Sequence, residues 1–161
     1  MRKPTDITER ENTAEAALRL VRSGDVIATG CYGNEPVVFL TGLAARAREL
    51  ENLTIWAINP LYPYEVFTSP EMKGHVDCAS TFYGGANRTA HLQGRSSIVP
   101  TNLSMCAHTM LRTARPTVFA AAVTPPDARG KVRLSMDLEY GLECLEAADR
   151  VIFEVNPKLP V

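Results

Sequence analysis

Long apolar runs, an excess of either charge and paired cysteines are all missing from this sequence. No stretch approaches the ~18 apolar residues of a membrane-spanning helix. The opening MRKPTDITEREN is charged where a secretory leader carries an apolar core, so a cytoplasmic protein is the expectation. Seventeen basic side chains against eighteen acidic ones leave a formal charge of −1, which offers no footprint for nucleic acid or an anionic membrane. Cys31, Cys78, Cys106 and Cys144 form no Cys-x-x-Cys and stand at no zinc-ligand spacing from His75, His91 or His108. They are expected as buried free thiols, with no metal site. Repeats, low-complexity tracts and internal linkers are lacking too, and 161 residues with 45% hydrophobic and 22% charged side chains fit a single domain, 1–161.

What is present is an alternation of strand and helix patterns. Asn12, with Glu15 three residues on, reads as a helix start; Ala14, Leu18 and Val21 follow at helical spacing, and Gly24 stops the run. Val26–Thr29 is a strand, and Leu40, Leu43, Ala44, Ala47 and Leu50 mark one face of a helix from about Glu35 to Leu50. Leu53–Ile58 and His75–Tyr83 read as strands, Gly84-Gly85 opens a short helix ending at Gly94, and Ser97–Val99 is a short strand. Asn102 caps a helix through Arg112 with Leu103, Met105, Cys106, Met110 and Leu111 inward. Thr117–Val123 is a continuous buried strand, and Lys131–Met136 returns as another. Leu138, Leu142, Leu145 and Ala148 form a helix face, and Arg150–Val155 is the last strand. The alternation predicts an α/β fold, an open, mostly parallel sheet flanked by helices.

In such sheets ligands bind at the carboxyl ends of strands, and three loops follow strands: 30–36, 124–130 and 156–160. In the first, Gly30 and Gly33 permit positive φ and close approach of a ligand. The helix that follows points unpaired N–H groups back at the loop, which suits a phosphate, a carboxylate or an oxyanion. Glu35 reads as a capping residue stabilised by that helix's dipole. Cys31 reads alternatively as a thiol nucleophile, activated by the helix with a histidine as base. Asp127 is expected to bond local amides in its Pro-Pro-Asp turn, and Asn156 to contact a ligand at a strand end. His108 reads as packed or half-exposed.

GDVIATGCYGNEP, VTPPDARG and EVNPKLPV, in that order, resemble the N-terminal half of the acetyl-CoA hydrolase/transferase family, which includes 4-hydroxybutyrate and acetate CoA-transferases; the resemblance runs from about Thr13 to Val161. It implies a CoA-transferase-like fold (the NagB/RpiA/CoA-transferase type) built as two similar halves that face one another. It also implies transfer of CoA from a thioester to a small carboxylic acid through a glutamyl-CoA thioester on the enzyme, or hydrolysis. Coenzyme A enters as substrate, with no tightly bound cofactor. The residues that match the family's site are Gly30, Cys31, Tyr32, Gly33, Asn34 and Glu35 of the glycine loop, Thr124 and Pro125 of a turn that is Ser-Pro-Pro-Asp in relatives, and Asn156 in the closing signature. Arg133 and Lys158 depart from the small and polar-neutral residues of relatives. The nucleophilic glutamate belongs to the second half, so no residue here inherits its role. The expected partner is a C-terminal-half polypeptide or a homo-oligomer, and the chain alone is expected to be inactive. Two other readings share the pattern: a non-catalytic binding or assembly module, and a sugar-phosphate isomerase-like enzyme.

Overall fold

Strands that are apolar without interruption need cover on both faces of their sheet. The computed structural model describes residues 12–137 and 139–161. Among them the strands are Val26–Thr29 (β1), Leu53–Trp56 (β2), Val76–Ser80 (β3), Ser96–Ile98 (β4), Val118–Val123 (β5) and Arg150–Val155 (β6). They form one sheet in the order β4-β3-β2-β1-β5-β6, and every pairing is parallel. Ala14–Leu18 (α1), Val37–Ala47 (α2), Glu65–Thr68 (α3) and Gly85–Leu92 (α4) pack in succession over one face. Cys106–Thr113 (α5) and Gly141–Ala147 (α6) cover the other. The pleat sends alternate residues to the two cores: Ile27, Ile55, Val118 and Ala120 to the α2 side, and Ala28, Trp56, Phe119 and Ala121 to the α5–α6 side. No helix among the described residues is long and apolar enough to cross a membrane.

The amino ends of the strands are held by charge. Asp25 is 5% exposed and accepts from the Arg22 N–H (2.7 Å), the Thr117 hydroxyl (2.7 Å) and both terminal nitrogens of Arg150 (2.5 and 3.1 Å). One carboxylate thereby fixes the starts of β1, β5 and β6. Arg95 is also buried and donates to the carbonyls of Val66, Phe67, Ser69 and Val76 and to the Gln93 side chain. It satisfies the last carbonyls of the one-turn helix α3, which are too near the helix end to be bonded within it.

Several local expectations are corrected. Thr13, not Asn12, caps α1 through its hydroxyl, and α1 stops at Leu18. A 3-10 turn, Tyr32–Asn34, stands between β1 and α2, so α2 starts at Val37 rather than Glu35. Asn102 makes no side-chain cap, and Leu103 and Met105 are 58% and 43% exposed, because Leu103–Met105 is a 3-10 turn whose three-residue period turns them off the α5 face. Residues 131–136 form no strand, since β5 already has β1 and β6 on its two sides. The buried side of α6 carries Gly141 and Cys144, while Leu142 is 57% exposed; Leu138, assigned to the same face, lies outside the described residues.

Removing the Asp25 carboxylate leaves the Arg150 guanidinium and two further donors without their acceptor. Asp25→Ala is expected to lower unfolding free energy by about 3 kcal/mol, the range for breaking a buried ion pair. Denaturant titration reads this directly, and a loss below about 1 kcal/mol would put the group with surface ion pairs.

Candidate functional site

The sheet order reverses between β1 and β5, because the chain steps outward from β1 to β4 on one side and then returns to lay β5 and β6 on the other. Loops leaving the carboxyl ends of such neighbours diverge and leave a crevice, the usual ligand position in open α/β sheets. Loops 30–36, 124–130 and 156–160 all emerge there, since β1, β5 and β6 are adjacent and parallel.

The glycine loop is bound on several sides. Asn34 is fully buried; its amide donates to the Ala122 carbonyl (2.8 Å) and the Leu134 carbonyl, and its oxygen accepts from the Met136 N–H (3.1 Å). Asp137, also fully buried, accepts from the Cys31 N–H (3.2 Å). Glu35 turns inward and accepts from the Leu61 N–H (2.7 Å) and the Tyr64 hydroxyl (2.9 Å). The cap of α2 comes from another strand: Glu154 of β6 accepts from the Val38 (2.9 Å) and Phe39 (3.2 Å) N–H groups. The Glu35 capping assignment is therefore corrected, and the expected open helix N-terminus is filled by the chain itself.

These ties leave a short accounting of backbone donors. Gly30 donates to the Ala120 carbonyl, Cys31 to Asp137, Asn34 to the Cys31 carbonyl and Glu35 to the Tyr32 carbonyl. Pro36 has no N–H, and the Val38 and Phe39 amides serve Glu154. Among the described residues, the Tyr32 and Gly33 amides of loop 30–36 have no hydrogen-bond acceptor. Tyr32 holds φ at +49°, and successive amides beside a left-handed residue form an anion-binding concavity.

The electrostatics disfavour a thiol nucleophile. Cys31 is buried, with its Sγ 3.6 Å from Asp137 and 3.7 Å from Glu139. Burial first, and then those two carboxylates, push its pKa upward, so it stays protonated. Burial also pushes Asp137 up to about 6, against the Cys31 N–H that favours its charged form. Burial raises Glu35 and Glu154 above the ordinary carboxylate range, partly offset by the donors that hold them. His108 is exposed, His75 bonds the Leu50 carbonyl and His91 the Ser96 carbonyl, so none partners Cys31. All four cysteines are buried and free, and no metal-holding group of side chains occurs among the described residues.

Thr124 is buried, with its hydroxyl accepting from the Arg133 N–H (3.0 Å), and Pro125 beside it is exposed. Asp127 bonds the Arg129 and Lys131 amides, as its turn chemistry requires. Asn156 is half-buried; its side-chain oxygen accepts from the Lys158 N–H, and its own N–H donates to the Val123 carbonyl. Asp137 and Tyr64 carry no motif that distinguishes them in the sequence. Glu154 alone had a cue, an acid inside the closing signature.

The family model for the acetyl-CoA hydrolase/transferase N-terminal domain matches residues 2–161. The succinyl-CoA:cyclohexane-1-carboxylate CoA transferase of Geobacter metallireducens is 31% identical over 145 residues, 89% of this chain and 32% of that protein. The butyryl-CoA:acetate CoA-transferase of Anaerostipes caccae is 29% identical over 149 residues, 92% of this chain and 33% of that protein. The chain thus spans about a third of the length of the curated relatives it matches. The crystal structure of RipA from Yersinia pestis shares the fold, with a TM-score of 0.84 at 23% identity over 95% of this chain and 38% of that one.

The two loop glycines have different reasons to be glycine, and neither is positive φ. A Cβ at Gly30 would collide with the Asn34 carbonyl and stand 2.9 Å from the Ala121 Cβ, while at Gly33 it would meet only the movable end of Met136. Gly30→Ala is expected to cost about 1–3 kcal/mol through overpacking, and Gly33→Ala under about 0.5 kcal/mol, like a surface change. Thermal unfolding of the two variants side by side checks the order; equal losses would contradict it.

Proposed function

The chain belongs to the acetyl-CoA hydrolase/transferase family as its N-terminal domain, and from that premise we propose that it supplies the oxyanion-stabilising half of an enzyme moving coenzyme A between an acyl thioester and a small carboxylic acid. The observation that supports this reading is the pair of amides at Tyr32 and Gly33 that have no acceptor among the described residues, in a loop whose other donors are engaged. When a carboxylate attacks a thioester carbonyl, the carbonyl oxygen takes up negative charge and the C–S bond then breaks to release CoA. Two fixed N–H groups facing that oxygen stabilise the charge, and removing one such donor typically costs about 10²–10³ in kcat. Asn34, Asp137 and Glu154 do not meet the substrate in this scheme; they hold the loop so that the two donors need no reorganisation.

The nucleophile, as the family resemblance implies, is a glutamate of the second half. Glu35 and Glu154 are unsuited to the task, because their oxygens already accept from amides and a phenol inside the fold. The second half docks on the carboxyl edge, where Tyr32, Val38, Leu61, Tyr62, Phe82 and Met136 are all at least 39% exposed. Coenzyme A is a substrate here, and the acceptor is a small carboxylate.

Purified chain incubated with acetyl-CoA and a panel of carboxylic acids is expected to give no transfer and no thioester trapped by borohydride. Adding a second-half polypeptide is expected to restore both. Turnover by the chain alone, or a trapped glutamate within residues 1–161, would overturn the division of labour.

A further inference from the structure

The space that a side chain at Gly33 would fill is taken by Met136, whose Cε lies 1.8 Å from where a Cβ would stand. The methionine thereby rests against the residue that carries one of the two amides without an acceptor. Its backbone is fixed on both sides. The Met136 N–H donates to Asn34 Oδ1 (3.1 Å), the Asp137 N–H donates to the Leu134 carbonyl (3.1 Å), and the Asp137 carboxylate holds the Cys31 N–H (3.2 Å). Yet the Met136 side chain is 50% exposed, so its far end adds little to the core. Three rotatable bonds and a polarizable thioether suit methionine to surfaces that adapt to apolar ligands.

Tyr32 carries the other amide. It holds φ at +49°, where a bulky side chain is an outlier and glycine would be free. Strain of this kind persists where the surroundings enforce it, and ligand sites are where it collects. The Tyr32 side chain is 39% exposed. Burial first, and then the Glu139 charge, raise its phenol above the ordinary value, so the ring stays neutral. Neither Tyr32 nor Met136 offers a cation, and the charged groups against Cys31 in the same loop, Asp137 and Glu139, are both acids.

We propose that Met136 and Tyr32 wall the acyl subsite and fit it to uncharged aliphatic acyl groups, with Met136 as the residue that sets the choice. The inference rests on the reading that the Tyr32 and Gly33 amides receive the thioester oxygen. An oxygen held there brings the adjoining carbon chain within reach of whatever lies on Gly33, and that is the Met136 methyl. A flat ring and a linear thioether enclose methylenes well. They give no counter-charge to the second carboxylate of a dicarboxylic acyl group, which would be desolvated without a partner, and the two neighbouring acids repel it. Both walls lie on the edge where the second half docks, so the acyl chain is enclosed between the halves.

Two measurements on the chain joined by a second-half polypeptide test this. In the first, the 161-residue chain alone carries isotope-labelled methionine methyls, and Met136→Leu identifies the Met136 signal by its loss. Butyryl-CoA is expected to shift that signal and free CoA to leave it in place, while the signals of buried Met72 and Met110 hold still. In the second, kcat/KM is compared for acetyl-, butyryl- and succinyl-CoA. Met136→Ala is expected to lower the butyryl-to-acetyl ratio about tenfold, the discrimination that about one methylene contact gives in an apolar pocket. Acetyl turnover is expected to change little, because the two amides stay in place. Met136→Lys is expected to raise succinyl over butyryl about tenfold by supplying a charge-assisted contact. Leu92→Lys, at a position 79% exposed on α4, is expected to leave the ratio unchanged. A Met136 methyl that ignores butyryl-CoA, ratios indifferent to Met136→Ala, or a succinyl preference that Met136→Lys does not raise would each overturn the assignment. A methyl shift without transfer in the joined enzyme would defeat the proposed function alone. Transfer with an unmoved methyl and unaltered ratios would defeat the subsite alone.

Discussion

The carboxamide of Asn34 is the contact on which the rest of the site depends. It is fully buried, and it ties the glycine loop to the end of β5 and to the segment before α6 with three hydrogen bonds. A buried amide that lost these partners would incur the full cost of desolvation, about 1–3 kcal/mol for each unsatisfied group. The loop is thereby held in one conformation before any ligand arrives. Asp137 and Glu154 reinforce it from the segment before α6 and from β6 by accepting the amides on either side of the 3-10 turn. The two adjacent amides of Tyr32 and Gly33 have no acceptor among the described residues, while the Gly30, Cys31, Asn34 and Glu35 amides around them are engaged.

The two edges of the sheet spend charge differently. At the amino edge, Asp25 pairs with Arg150 and closes the strand starts. At the carboxyl edge, Asp137, Glu35 and Glu154 accept only neutral donors, and burial raises the pKa of each. Arg129, Lys131 and Arg133 lie exposed on the turn after β5, around Asp127.

The sequence made some parts of this legible and hid others. Strands β1 and β6 are bounded by Asp25, Gly30, Asp149 and Asn156 and are rich in apolar and β-branched residues, so their limits could be read locally. The resemblance carried by the loops after β1, β5 and β6 gave the family. Helix α5 misled because Leu103 has helical spacing from Cys106 and Met110 yet lies, with Met105, in a 3-10 turn. Glu35 misled because its position before a helix has a local explanation, whereas the actual cap, Glu154, is 116 residues away from Val38. Asp137 was invisible for the same reason, lying 106 residues from the amide it holds. Contacts of this range have no periodic signature; only the parallel sheet, which brings β6 and the segment after β5 beside β1, creates them.

Residue-resolved amide hydrogen exchange of the glycine loop tests the central claim most directly. The account predicts that Cys31, Asn34, Val38 and Phe39 exchange slowly, held by Asp137, the Cys31 carbonyl and Glu154, while Tyr32 and Gly33 exchange close to unprotected rates. Protection at Tyr32 and Gly33 equal to that of their neighbours, or an unprotected Cys31 amide, would contradict the picture of a clamped loop with two donors left for the substrate.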